Sequence, residues 1–115
     1  MSELIKCYKC ENEFKQSELI LAKPYLQEQE EYFCKNCLIK ENLMRIRSEI
    51  NRYILVGNAL FDFNLDKANA IKIKYREEKN NYEAWISYST EYFIIIFDDK
   101  LIPTDVFHFY RNFKA

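Results

Sequence analysis

The sequence predicts an α+β chain, and three observations carry that prediction. Two C-x-x-C pairs, Cys7 with Cys10 and Cys34 with Cys37, bracket a short stretch with strand character. Apolar residues then recur at three-and-four spacing between about residues 36 and 56. From about residue 69 onward, apolar and polar residues alternate, as they do along a sheet strand. The order implied is a small cysteine module, one amphipathic helix, and then a small antiparallel β-sheet. The expected divisions are 1–58 for the module with its helix and 59–115 for the β region, packed as one compact unit. At 115 residues and 49% hydrophobic content the chain is long enough for such a core.

Within the module, "ELILAKPYLQEQEEYF" reads as two short strands, about 18–23 and 31–34, separated by Pro24 and the polar "QEQE". The helix places Ile39, Leu43, Ile46, Ile50, Tyr53 and Ile54 on one buried face. Glu41, Arg45, Glu49 and Arg52 fall on another, the pattern of a charge-laced solvated surface. Gly57-Asn58 reads as its stop signal. The stretch "ALFDFNLDKAN" gives no clear period.

In the β region, Ile71, Ile73 and Tyr75 alternate with Lys72, Lys74 and Arg76. After "KNN" the alternation resumes through Tyr82, Ala84, Ile86 and Tyr88, and "YFIIIF" is apolar on both faces, as a central strand is. The tail "TDVFHFYRNF" fits a capped helix or an aromatic strand equally well.

Composition excludes several activities. One glycine, Gly57, cannot build a phosphate-cradling or dinucleotide-binding loop. One histidine, His108, has no triad motif around it and reads as an ordinary structural or surface side chain. The formal net charge of −1 argues against strong nonspecific nucleic-acid binding. The opening "MSELIKCYKC" lacks the apolar core and cleavage site of a signal peptide, and no run approaches a membrane span. The expectation is a cytoplasmic protein with no membrane partner. Stable disulfides do not suit that reducing setting.

The four cysteines then point to metal. Thiolates are strong ligands for tetrahedral Zn²⁺, and two C-x-x-C pairs supply the four donors it needs. The 23 residues between Cys10 and Cys34 accommodate a hairpin. Lys6, Lys9 and Lys35 beside the ligands offset the charge of a four-thiolate centre, and Cys37 sits at the positive start of the helix. A redox C-x-x-C is the competing use, but that motif occurs once and within a βαβ unit.

This arrangement resembles the treble-clef (zinc-ribbon-like) group of zinc fingers over roughly residues 5–56, on "CYKC", "CKNC" and the periodic helix that follows. The resemblance implies a first knuckle leading into a β-hairpin and a second pair opening a helix, with one structural Zn²⁺ on Cys7, Cys10, Cys34 and Cys37. The usual knuckle glycine is replaced by Glu11-Asn12, where Asn12 tolerates a left-handed backbone. Treble clefs serve in ribosomal proteins, ubiquitin ligases, nucleases and transcription factors, so the fold group implies little about function. The nuclease branch needs a histidine on the hairpin, and residues 11–33 have none.

Two surface readings remain. Lys72, Lys74 and Arg76 share a strand face and are candidate nucleic-acid contacts, as are the helix arginines Arg45, Arg47 and Arg52. Aromatic residues make up 17% of the chain, more than a small core absorbs, so Tyr82, Trp85 and Tyr88 are candidates for a partner interface or a homodimer contact. Asp98-Asp99-Lys100 and Glu77-Glu78-Lys79 have the residue types of a metal-dependent nuclease, but also those of any strand-end turn. The expected function is non-enzymatic: a zinc-stabilised protein that regulates or inhibits a macromolecular partner. A nucleic-acid-binding zinc finger is the alternative, and a nuclease a distant third.

Overall fold

The computed structural model describes residues 3–111 and has one α-helix and several antiparallel sheets. The strands are β1 (Leu4–Lys6), β2 (Glu13–Lys15), β3 (Leu19–Ala22) and β4 (Glu31–Cys34). Helix α1 (Lys35–Glu49) follows. Then come β5 (Tyr53–Val56), β6 (Ala59–Asp62), β7 (Ala70–Arg76), β8 (Asn81–Ser87), β9 (Glu91–Phe97) and β10 (Pro103–Tyr110). Three two-stranded sheets pair β1 with β2, β3 with β4 and β5 with β6, and the fourth sheet runs β10-β9-β8-β7. Contacts divide the chain into two compact units, one up to Arg45 and one from Ile46. The division falls earlier than residue 58 because β5 and β6 pair with each other across Gly57-Asn58.

Helix α1 is shorter than its periodicity predicts. It ends at Glu49, and Tyr53 and Ile54, placed by spacing on its buried face, belong to β5. Tyr53, Ile54, Leu55 and Val56 are aromatic or branched side chains that suit a pleated surface. Gly57-Asn58 therefore turns a hairpin rather than stopping a helix. Val56 sits opposite Ala59, and Gly57 has φ +60° while Asn58 does not cross into positive φ, the sign pattern of a type II′ turn. The unassigned stretch 59–69 is β6 followed by a short 3₁₀ turn over Leu65–Lys67.

Helix α1 also buries a residue expected in solvent. Glu41 is 4% exposed: one carboxylate oxygen accepts the Tyr25 N–H at 2.9 Å, and the other lies 3.4 Å from Lys9 Nζ. One turn on, Arg45 donates to the Lys23 carbonyl at 2.7 Å and stands over the Tyr25 ring. The two residues hold the Lys23–Tyr25 segment against the helix.

The second unit carries the apolar core. Ile46, Ile54, Phe63, Tyr82, Ala84, Ile86, Ile95 and Phe97 are all buried. Tyr82, Ala84 and Ile86 line one face of β8, and their partners Tyr75, Ile73 and Ile71 on β7 share it. Phe63 packs edge-on against Phe93 of β9 at 4.9 Å. The tail resolves as a strand, β10, paired along its length with β9. No helix among the described residues is long and apolar enough to cross a membrane.

A Cβ added at Gly57 meets nothing within 4 Å, so Gly57→Ala tests backbone strain alone. The substitution is expected to cost about 1 kcal/mol, read as a lower denaturant midpoint with an unchanged slope.

Candidate functional site

The cysteine cluster is built by short elements on either side of the first hairpins. Strands β1 and β2 close a knuckle in which the Cys7 N–H donates to the Asn12 carbonyl and the Glu11 N–H to the Cys7 carbonyl, at 2.9 and 3.0 Å. The Tyr8 N–H donates to the Tyr32 carbonyl at 2.7 Å, which draws the knuckle against β4. Cys34 ends β4 and Cys37 lies in the first turn of α1. As a result the four sulfurs all lie within 4.8 Å of one another, with Cys10 and Cys34 at 3.9 Å. A tetrahedral ion with metal–sulfur bonds of about 2.3 Å separates its ligands by about 3.8 Å. The four cysteines are therefore positioned to hold one metal ion.

The surroundings favour thiolate. Burial alone raises the Cys7 thiol, but N–H groups of Cys10, Cys34 and Lys9 aimed at its sulfur outweigh burial and bring it down to about 6. The Cys34 N–H contact is 3.3 Å. Cys37 is pushed up to about 12, first by burial, then by hydrogen bonds to Cys34, Cys7 and Cys10 and by the charge of Cys34. Near neutral pH the cluster thus offers a thiolate at Cys7, and an ion that takes all four sulfurs displaces the remaining protons. Four thiolates leave no open position for water or substrate.

The knuckle's left-handed residue is Glu11, at φ +63°, and not Asn12. Glu11 carries a Cβ into a conformation that costs an ordinary residue about 1–2 kcal/mol. Glu11→Gly is expected to stabilise the first unit by roughly 0.5–1 kcal/mol, seen as slower metal loss to a chelator and a higher melting temperature.

The aromatic and basic candidates sort onto different faces of the four-stranded sheet. Tyr82 is 3% exposed on the core face and takes no part in an outer surface. Tyr88 shares that face, half-buried and edge-on to Phe93, with a hydroxyl that has no hydrogen-bond partner. Burial, then the nearby Glu91 and Asp62 charges, pushes its phenol pKa above the ordinary tyrosine value. Trp85 alone of the three lies on the outer face, opposite Lys72, with Lys74 and Arg76 beside it.

That outer face carries a row of rings that the sequence did not place. Trp85 and Tyr92 are parallel within 5° at 5.8 Å, and Tyr92 and Phe109 within 18° at 5.0 Å. Parallel rings this close overlap face on face, since flat rings side by side need about 7 Å between centres. Lys74 Nζ stands 4.7 Å over Trp85, and the Arg111 guanidinium 5.8 Å over Tyr92. Ile94, Ile96, Phe107 and Phe109 line a shallow groove of about 350 Å³ beside the row, rimmed by Lys79, Asn81, Glu83 and Asp105. Phe109 and Arg111 were hidden because the strand carrying the first could not be assigned from sequence.

The cations on this face are largely paired. Lys74 lies 3.8 Å from Glu83, and Arg76 lies 2.9 Å from Glu78 and 3.9 Å from Glu83. Of the three arginines expected on the helix, Arg45 and Arg47 donate to carbonyls, whereas Arg52 lies beyond the end of α1 and pairs with Asp62 at 2.9 Å. Asp98 has a turn-forming role: its Oδ1 accepts the N–H groups of Lys100 and Ile102, each at 2.9 Å. Glu77, Glu78 and Lys79 form a 3₁₀ turn closed by Asn80 in the left-handed region. His108 bonds Glu91 at 2.8 Å and stacks on Phe93. No protein-family model matches the chain, and neither a curated protein nor a solved structure matches it.

Proposed function

We propose that the protein is a non-enzymatic, zinc-stabilised binding protein that regulates or inhibits a protein partner through the outer face of its four-stranded sheet. The metal assigned to the cluster is a single structural Zn²⁺, which suits four soft thiolates at tetrahedral spacing. The order of a knuckle, a hairpin and a second cysteine pair at the start of α1 supports a treble-clef-like module.

The observation that carries the binding role is the outer-face aromatic row Trp85–Tyr92–Phe109, half-buried at Trp85 and Tyr92 and exposed at Phe109, beside an apolar groove. Large rigid rings with polar tips give contact area at little entropic cost, which is why they concentrate at protein interfaces. The same geometry disfavours single-stranded nucleic acid. Base stacking needs free ring faces and unpaired cations, and here the rings stack on one another while Lys74 and Arg76 face carboxylates.

Native mass spectrometry of protein purified without added metal is expected to give one zinc per chain, and Cys37→Ser to abolish it. A zinc-free chain with all four thiols reduced, or two disulfides, would remove the metal assignment. For the binding role, a fluorescent mixed-sequence single-stranded DNA is expected to bind no tighter than about 100 µM at physiological salt. Tight, salt-steep binding lost on changing Lys72, Lys74 and Arg76 to Ala would transfer the face to nucleic acid.

A further inference from the structure

We propose that the protein forms a symmetric dimer in which β10 of one copy pairs antiparallel with β10 of a second copy, centred on His108, joining two four-stranded sheets into one of eight. The proposal stands on β10 and is independent of what the outer face binds.

The backbone parity of β10 is fixed by bonds at its two ends. The Arg111 N–H donates to the Thr90 carbonyl at 2.9 Å, so Arg111 faces β9. In an antiparallel ladder, residues alternate between those that bond the neighbour and those that turn away from it. Phe109, Phe107 and Asp105 therefore bond Tyr92, Ile94 and Ile96. The N–H and C=O groups of Val106, His108 and Tyr110 point away from β9, on the side where the sheet has no further strand among the described residues. The β8–β9 turn agrees: the Tyr88 N–H donates to the Glu91 carbonyl at 2.8 Å, so Glu91 faces β8 and not Tyr110.

An edge of this kind is a template for another strand unless something guards it. β10 spans eight residues, one of the long strands of the chain, and from Val106 to Tyr110 it has no Lys, Arg, Pro or acid. Its one proline and its bulge, between Pro103 and Asp105, lie at the start. Phe107, Phe109 and Tyr110 are 48%, 40% and 72% exposed, which is a large apolar area to leave on an edge. β5 approaches β10 but pairs only with β6.

Self-complementarity selects a second copy as the occupant. Pairing about His108 sets Val106 opposite Tyr110 of the other copy, Phe107 opposite Phe109, and Asp105 opposite Arg111. Each match occurs twice, by symmetry. Aromatic pairs and opposite charges are the cross-strand combinations that stabilise a ladder. Moving the centre to Phe107 or to Phe109 leaves one aromatic self-pair in place of two Phe107–Phe109 pairs and loses both charge pairs, setting Asp105 against Phe109 in the first case and Phe107 against Arg111 in the second. The chosen register also carries the ring row through the dimer, from Trp85, Tyr92 and Phe109 of one copy onto Phe107 of the next.

Sedimentation equilibrium of the zinc-loaded full chain tests this, with Asp105→Arg, Arg111→Asp and the double exchange. The wild type is expected at twice the 14.0 kDa chain mass at tens of micromolar. Each single variant sets like charges opposite one another at two symmetric places and is expected to weaken the dimer about tenfold, and the double exchange to recover wild-type affinity within about threefold. Amide exchange supplies a readout that folding defects do not mimic: Val106, His108 and Tyr110 should become protected as concentration rises, while Phe107 and Phe109 stay constant. A monomer at 200 µM (about ten times the concentration at which the dimer is expected) overturns the proposal. So does a dimer indifferent to the charge exchanges or with those three amides unprotected.

Discussion

The convergence of four sulfurs within 4.8 Å is the constraint on which the first unit depends. Among its described residues Phe33 is the one large apolar side chain that is fully buried, and Cys7, Pro24 and Cys34 are the other buried apolar groups. Burial of a single phenylalanine does not offset the entropy of ordering four hairpin strands, a knuckle and a long loop. An ion held by Cys7, Cys10, Cys34 and Cys37 would cross-link residues 7–10 to residues 34–37, removing much of that entropy and supplying bond energy in place of a core. The second unit needs no such device, because eight buried residues from β5, the loop after β6, the sheet and the end of α1 make its core.

A unit with little oil must hold its loops by polar contacts, and this explains the buried Glu41. The segment from Lys23 to Glu30 has no strand of its own, so its backbone groups need partners elsewhere. Glu41 takes the Tyr25 N–H and Arg45 the Lys23 carbonyl, one donor and one acceptor from the same short segment. Lys9, next to the knuckle cysteine, partly neutralises the carboxylate that this burial would otherwise penalise.

Much of this was legible in the sequence, and what was not has physical causes. The strands over 19–22 and 31–34, the two alternating strands and the doubly apolar third strand between 70 and 97, and the proximity of the four cysteines all follow from local pattern. The helix overran because Tyr53 and Ile54 fall at helical spacing from Ile46 and Ile50. The stronger signal there was "YILV-GN-ALFD", two short apolar runs around a glycine-led dipeptide, which is a hairpin. Glu41 was read as solvated because sequence spacing gives the faces of a helix, but not which loop will lie on one of them. Glu11 adopts positive φ although Asn12 is intrinsically more tolerant, because the Cys7–Asn12 and Glu11–Cys7 hydrogen bonds fix where the knuckle turns.

The outer aromatic row depends on one irregularity that no periodicity reveals. Pro103 pairs with Phe97, yet Asp105 pairs with Ile96, so Thr104 is an extra residue in the ladder, and its Oγ1 donates to the Ile96 carbonyl at 3.3 Å. Without that bulge the pairing would continue one residue out of step, and side chains alternate across a strand with a period of two. Val106 would then emerge opposite Ile94 and His108 opposite Tyr92, and Phe107 and Phe109 would turn to the core face. The bulge instead sends both phenylalanines to the outer face, gives Tyr92 its stacking partner, and returns His108 to Glu91 and Phe93. One inserted residue thus decides what the sheet presents outward and which backbone groups its edge leaves unpaired.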